Sequence, residues 1–456
     1  MRTSIVVFLL ILVTNLPGYA QNNLQTRTVA TNLDTPWEIL WGHDNYIWAT
    51  ERYGRISRIN PQTGEVFEVI TISEVNERGE GGLLGMVLDP DFETNNFFYV
   101  AYNYNGPGND YREKIVRFTF NPSTGAAGNP FTLIENIDGA NNHNGCRMVI
   151  SPDKKLIFTT GDAQITSTSQ NLNSLNGKKL RLNLDGTIPE DNPIKDSPIW
   201  TWGHRNAQGL VYSPDGEILY SSEHGPSNDD EINIIYKGRN YGWPRVEGFC
   251  DNFEMNFCND SNVVEPIYAW TPTLAVAGID FYNSDLIPEW KNSLLVSSLK
   301  ARRITQLKLN ENGTEVVSSK DHFIGAFGRL RDLCISPDGK VYVAVSNRDG
   351  RGSPTTEDDR IIEIAPASTS APLIENTNPI NVYPNPAKEF IIVSINIQDE
   401  LPAKYSLMNI IGQEIKKGYL ESGESKIYFP VGFSGPAFLK IEMNGRLVSR
   451  KVVALN

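Results

Sequence analysis

His143 lies in the polar stretch Asn-Asn-His-Asn-Gly-Cys-Arg at residues 141–147, and Asp162 follows nineteen residues later in a Gly-Asp step. Between them run a short apolar segment (148–150), a Ser-Pro-Asp turn and a second apolar segment (156–160) that ends just before Asp162. Paired antiparallel, the two segments bring the start of one and the end of the other to the same rim of a sheet. His143 and Asp162 then stand side by side, and a histidine oriented by a carboxylate is a general-base arrangement. Most such neighbours are only structural polar pairs, so the assignment needs support from the rest of the chain.

The elements that must position this pair recur. An apolar strand, a turn rich in Pro, Asp and Gly, and a second strand rich in Tyr, Val and Ile begin near residues 39, 82, 148, 209, 278 and 333. A third strand follows most of them, as at 54–59, 114–120, 231–236, 303–309 and 360–364. Units of three or four antiparallel strands repeated six times predict an all-β fold, a six-bladed β-propeller. The early strand at 26–30 is expected to complete the last blade.

In such a fold the residues before each first strand and after each second strand meet on one face. Those positions hold Glu80, Asn142, His143, His204, Arg205, Asn206, Gln208, residues 270–273, Arg329 and Arg331 on one side of the hairpins. On the other they hold Glu51, Arg52, Asp162, residues 223–226, Lys300, Asn347 and Arg348. A chain of net charge -13 thus collects His143, Arg205, Lys300, Arg329 and Arg331 at one rim. Such a positive focus suits a small ligand carrying several carboxylates or phosphates. Gly225-Pro226, followed by acids up to Glu231, offers the oxygen-rich surroundings of a Ca²⁺ site, although a solvated Pro-turn has the same composition. No Cys/His set has zinc spacing, no Gly-rich phosphate loop follows a strand, and no nucleophile elbow is present.

The ends and the composition bound the rest. Residues 1–20 combine Arg2, an apolar run and a small-residue exit, the pattern of a secretory signal peptide. That run is short for a membrane span and no later stretch reaches the length of one, so no transmembrane segment is expected. The acidic balance argues against a nucleic-acid partner. Cys250 and Cys258 close a short polar loop and read as a local disulfide in an exported protein, with Cys146 and Cys334 as buried thiols. Residues 21–365 form the propeller, 366–378 a Pro/Ser/Thr linker, and 379–456 a small β-sandwich with its own alternating strands.

Several stretches together resemble the soluble pyrroloquinoline quinone (PQQ)-dependent aldose sugar dehydrogenases, of the glucose/sorbosone type, over roughly residues 30–365. They are the His143 segment, Gly161-Asp162, Ser-Leu-Asn-Gly-Lys at 174–178, Leu-Asp-Gly-Thr-Ile-Pro at 184–189 and Gly-His-Arg-Asn-Ala-Gln-Gly at 203–209. The likeness continues through Glu-His-Gly-Pro at 223–226, Asp-Glu-Ile-Asn at 230–233, Asn-Tyr-Gly-Trp-Pro at 240–244, Ser-Leu-Lys at 298–300 and Arg-Leu-Arg-Asp at 329–332. The resemblance implies His143 as the base for the sugar C1 hydroxyl, Asp162 as its partner and Arg205 beside the quinone oxygen. It implies PQQ contacts from Asn206, Lys300, Arg329 and Arg331. Gly225 and Pro226 would be carbonyl ligands of the cofactor Ca²⁺, and Glu231 and Tyr241 would belong to a second, structural Ca²⁺ site. Glu80 stands where many members carry glutamine beside the cofactor.

The closing domain, through Asn-Val-Tyr-Pro-Asn-Pro-Ala at 381–387, Met-Asn-Ile-Ile-Gly-Gln at 408–413 and Arg-Lys-Val-Val at 450–453, resembles the C-terminal sorting domain of the type IX secretion system. The implied protein is a secreted or surface-attached oxidoreductase that converts an aldose to its lactone and passes electrons to an external acceptor. A non-catalytic propeller of the Hedgehog-interacting kind is the alternative, which loss of the base or of the cations would favour. A calcium-dependent lactonase would need a carboxylate/Asn cage where this chain has cations.

Overall fold

The computed structural model describes residues 24–367, 380–395, 403–443 and 446–455. The expected signal peptide and most of the expected linker lie outside them. The chain divides into two compact units between Ala367 and Ser368. Among the described residues no helix is long and apolar enough to cross a membrane.

The first unit is built from four-stranded antiparallel sheets, six of them among the described residues. Their first strands are Pro36–Trp41, Leu83–Leu88, Gly145–Ile150, Ala207–Tyr212, Val276–Tyr282 and Leu330–Ile335. Each packs against the first strand of the next sheet, and Leu330–Ile335 also packs against Pro36–Trp41. Leu24–Ala30 pairs antiparallel with Arg360–Pro366 and so supplies the outer strand of the last sheet, as expected from the sequence. The first and last described strands of this unit are thereby held in one sheet.

The local chemistry explains why these segments form hairpins. In the third sheet the Ser-Pro-Asp turn is closed by Ser151 N–H to Lys155 O, 2.8 Å, with the Ser151 hydroxyl accepting from Lys155 N–H at 3.0 Å. The same Ser-Pro-Asp-Gly chemistry turns the fourth and sixth sheets at 213–216 and 336–339. Second strands such as Ile47–Glu51 and Val341–Val345 are buried along their whole length, which the unbroken apolar run of Val341–Val345 anticipates and the polar end of Ile47–Glu51 does not. Fourth strands such as Ala126–Asp138 and Val316–His322 are largely exposed and polar, which hid them from the repeat pattern.

One irregularity recurs in every sheet. The pairing of first and second strands shifts register near the start of the first strand, between Pro36 and Ile39, Leu83 and Met86, Gly145 and Met148, Ala207 and Gly209, Val276 and Ile279, and Leu330 and Asp332. A bulge bends the strand and re-aims its side chains. All of these bulges lie at the end of the sheets where the sequence places its candidate site.

Beneath that end Arg147 ties four sheets together. Its Nη1 donates to Asp332 Oδ2 at 2.9 Å and also to Glu38, its Nε donates to Gln208 O at 2.8 Å, and its guanidinium lies 4.5 Å from the Trp37 ring. All of these groups are buried. Burial pushes the Glu38 and Asp332 carboxyls up, and Arg147 is the main force pulling them back.

The second unit carries a three-stranded sheet, Asn381–Tyr383, Phe390–Ile395 and Gly423–Tyr428. Its four-stranded sheet is ordered Glu414–Leu420, Ala403–Asn409, Gly435–Met443 and Arg446–Ala454. Alternate residues, among them Ile391, Val393, Leu407, Leu439 and Val452, form its core. The Cys250–Cys258 disulfide and the buried free thiols of Cys146 and Cys334 are present as expected.

Replacing Arg147 with Met leaves two buried carboxyls without their cation. The expected outcome is a loss of about 3–5 kcal/mol, read from the denaturant midpoint at constant slope. A loss below about 1 kcal/mol would show that the sheets hold together without this contact.

Candidate active site

His143 sits in a loop of left-handed residues, with φ of 62° at His143, 71° at Gly145 and 74° at Cys146. The turn throws the imidazole toward the second strand of its sheet. Its Nδ1 lies 2.8 Å from Asp162 Oδ1, with the ring 19% exposed and the carboxylate fully buried. Gly161 is required here, because a Cβ at that position would stand 1.8 Å from the His143 carbonyl oxygen. The approach that makes the pair therefore depends on a residue with no side chain.

Asp162 is held from several directions. Oδ1 also accepts Gln164 N–H at 2.9 Å, and Oδ2 accepts the indole N–H of Trp243 at 3.0 Å. Asp162 N–H donates to Arg205 O at 2.8 Å, and Ala163 N–H to His143 O at 3.1 Å, so the segments bearing His143, Asp162 and Arg205 are stitched through their backbones. A carboxylate on Nδ1 leaves Nε2 as the nitrogen free to take a proton.

Arg205 lies over the Trp243 ring at 5.3 Å, and its Nη1 donates to His224 O at 3.2 Å. Asn206 is buried and accepts Gly145 N–H at 3.1 Å, which fixes the histidine loop. Arg331 donates to Gln208 Oε1 at 2.7 Å, and Asp349 receives Arg329 Nε at 2.7 Å. Glu80 pairs with Arg351 at 2.9 Å. Lys300 meets Thr273 Oγ1 at 3.2 Å, and Thr273 N–H donates to Ser227 O at 3.1 Å, beside Gly225-Pro226.

Of the buried nitrogens without a hydrogen-bond partner among the described residues, three belong to this site: Arg205 Nε, His224 Nε2 and Arg331 Nε. His224 is pushed down to about 3 by burial and by the charges of Arg331, Arg205 and His143, so its ring is neutral at physiological pH. Burial likewise pulls Arg331 down to about 10. Unpaired buried donors of this kind are costly unless something anionic or polar meets them.

A small cavity is lined by Arg205, His224, Gly225, Pro226, Glu231 and Tyr241. Neither the Gly225 nor the Pro226 carbonyl accepts a hydrogen bond among the described residues. Glu231 already receives Gly248 N–H and the Asn233 amide, both at 2.8 Å. The Tyr241 hydroxyl is spent between Ile234 O and Tyr236 N–H, at 2.7 and 2.8 Å. Among the described residues no group of three or more His, Cys, Asp and Glu forms a metal-binding set.

Some residues expected on the rim serve the scaffold instead. His204 is fully buried between Glu223, Lys179 and Thr201, with Tyr241 stacked 4.6 Å away. Glu51 is buried and bonded to Arg55 and Ser57. In the other direction, sequence reasoning assigned no role to His224, Trp243, Gln208 or Asp349. His224 falls on the predicted rim and inside the Glu-His-Gly-Pro segment, and Trp243 inside the Gly-Trp-Pro segment.

An all-β scaffold that sets a histidine–carboxylate pair against buried cations with unsatisfied donors has the parts of an enzyme acting on an anionic cofactor or substrate. The chain belongs to the glucose/sorbosone dehydrogenase family, whose sequence profile matches residues 33–354, and residues 381–454 form a secretion-system C-terminal sorting domain. Quinoprotein glucose dehydrogenase B of Acinetobacter calcoaceticus is 33% identical over 413 residues, covering 72% of this chain and 86% of that protein. An aldose sugar dehydrogenase of Escherichia coli is 30% identical over 344 residues, covering 73% and 92%. The PQQ-bound form of an aldose sugar dehydrogenase from Streptomyces coelicolor superposes with a TM-score of 0.67 at 32% identity, covering 76% of this chain and 98% of that one. The kinship makes this chain an oxidoreductase in general terms.

Replacing Asp162 with Ala removes the one side-chain partner of the His143 ring. The expected outcome is a ring that populates other rotamers in a crystal structure of the variant. An unmoved ring would show that the left-handed loop alone orients it.

Proposed function

We propose that this chain is an exported quinoprotein that oxidises an aldose at C1 to the lactone, with PQQ and Ca²⁺ as cofactors and His143 as general base. The observation that carries the reading is the convergence of the His143–Asp162 pair with Arg205, His224 and Arg331, where Arg205 Nε, His224 Nε2 and Arg331 Nε are buried without hydrogen-bond partners among the described residues. A planar tricarboxylate fits that donor set, since each carboxylate needs a cation or N–H. Residues 21–365 are read as a closed six-bladed propeller, 366–378 as a linker and 379–456 as the sorting sandwich. Residues 1–20 are read as a signal peptide for the inner membrane, with the sorting domain addressing the type IX machinery at the outer membrane.

In this reading Arg329, Arg331, Lys300 and Asn206 hold the cofactor's carboxylates and edge, with Glu80 beside them. PQQ supplies an electrophilic quinone that accepts a hydride, and Ca²⁺ polarises it as a Lewis acid. The Gly225 and Pro226 carbonyls, free of other bonds, are the donors this chain offers that ion. Glu231 and Tyr241 are retained as the second Ca²⁺ position. The Tyr241 hydroxyl is committed elsewhere, so any ligand from Tyr241 must be its carbonyl.

His143 Nε2 takes the proton of the C1 hydroxyl, and Asp162 stabilises the imidazolium that results. Arg205, desolvated and stacked on Trp243, places positive charge where negative charge grows. Neutral His224 fills the floor of the site without adding a competing charge. The electrons then leave to an external acceptor.

The test is reconstitution of the mature chain with PQQ and Ca²⁺, followed by dye reduction on a panel of aldoses. Expected are a PQQ-dependent spectrum and turnover, with His143→Ala binding PQQ yet losing about 10²–10⁴-fold in rate. A wild-type rate in that variant would remove His143 from the mechanism. Absence of both PQQ binding and turnover in the unmodified chain would favour the non-catalytic binding module.

A further inference from the structure

Glu80 is an odd neighbour for a site built to attract carboxylates. Its position is not accidental. Residues 78–81 form a tight turn, closed by Arg78 N–H to Gly81 O at 3.3 Å and Gly81 N–H to Arg78 O at 3.0 Å. Glu80 N–H donates to Asn141 O at 2.6 Å, directly in the histidine loop. Gly79 has a φ of 63°, and a Cβ there would meet Asn141 O at 2.3 Å. The carboxylate is therefore delivered to the site by a rigid backbone, close enough for Arg331 to feel its charge.

Its partner is Arg351, 2.9 Å away and 271 positions later in the chain. Arg351 belongs to the same corner. Asp349 Oδ1 accepts Arg351 N–H at 2.9 Å, while Asp349 Oδ2 receives Arg329 Nε at 2.7 Å and lies 3.9 Å from Arg331 Nη2. One buried carboxylate thus anchors the loop that carries Arg351 and orients Arg329. The backbone of Arg351 is anchored, but its side chain is 58% exposed and that of Glu80 26% exposed. An ion pair so open to water is weak and readily exchanged.

We propose that Arg351 is a further anion-binding residue of this site, held in reserve by Glu80, and that the pair sets how tightly the tricarboxylate cofactor is retained. The inference rests on the PQQ reading above. A carboxylate arriving at Arg329 and Arg331 adds negative charge next to Glu80. Arg351 is the exposed cation beside it, able to exchange Glu80 for the ligand or to screen one from the other. Glu80 lowers affinity in proportion to the charge it leaves unscreened.

The experiment titrates the metal-supplemented, PQQ-free full chain with PQQ and reads binding by fluorescence quenching, without any turnover. Glu80→Gln is expected to tighten binding and Arg351→Gln to weaken it, each by about three- to tenfold, the size of one partly exposed charge. The double variant is expected to return close to the unmodified protein, and the differences to shrink as salt rises. Single variants that both stay within about twofold of the unmodified chain would overturn the proposal. So would weaker binding in Glu80→Gln, which would make Glu80 a direct acceptor for the cofactor. If the unmodified chain binds no PQQ, the cofactor reading fails and this inference fails with it, whereas normal PQQ binding with indifferent variants sinks this inference alone.

Discussion

The buried contact of Arg147 with Glu38 and Asp332 is the constraint on which the first unit most depends. It joins the first, third and sixth sheets through side chains, and reaches the fourth through the Gln208 carbonyl. A charge removed from water is tolerable only when its partners are near and well placed, and here burial pushes both carboxyls up while the guanidinium is the main force pulling them back. The ionic contact therefore demands that four sheets meet in one arrangement. Apolar packing alone would accept more than one.

Arg147 ends the seven-residue segment 141–147 that contains His143, so one short stretch carries the histidine of the site and the tie between sheets. Between them lies the bulge at Gly145–Met148, matched by bulges at the same end of every other first strand. Each bulge breaks the regular alternation of side chains and lets neighbouring residues serve different ends. Arg331, for example, reaches Gln208 in the site, while its neighbour Asp332 reaches down to Arg147. The site is a by-product of how the first strands start, and its rigidity comes from the tie beneath it.

The electrostatics follow from the same geometry. In a chain of net charge -13, Arg205 and Arg331 are buried at this end of the sheets with nitrogens that lack hydrogen-bond partners among the described residues. Such an arrangement costs stability in the free protein and favours an anionic ligand when one binds.

The hairpins, the disulfide and the pairing of His143 with Asp162 were legible because each rests on local signals: apolar runs, Ser-Pro-Asp turns, short spacings. The exposed fourth strands were not, since polar residues carry no periodic mark. The rim positions were right in kind but blurred in detail. His204 and Glu51 face inward, and nothing in their types says so.

What the sequence by itself determined is the repeat, the gathering of cations at one rim and the pairing of His143 with Asp162. Only the tertiary structure decided that Trp243 holds Asp162, that His224 is neutral among cations, that Asp349 ties Arg329 to the loop of Arg351, and that Glu80 is answered by that arginine. Apart from the Asp349 contacts, which lie within the sixth sheet, these contacts join residues from different sheets. Their partners are chosen by where the bulged strand ends converge, and convergence is a property of the assembled sheets that no spacing along the chain records.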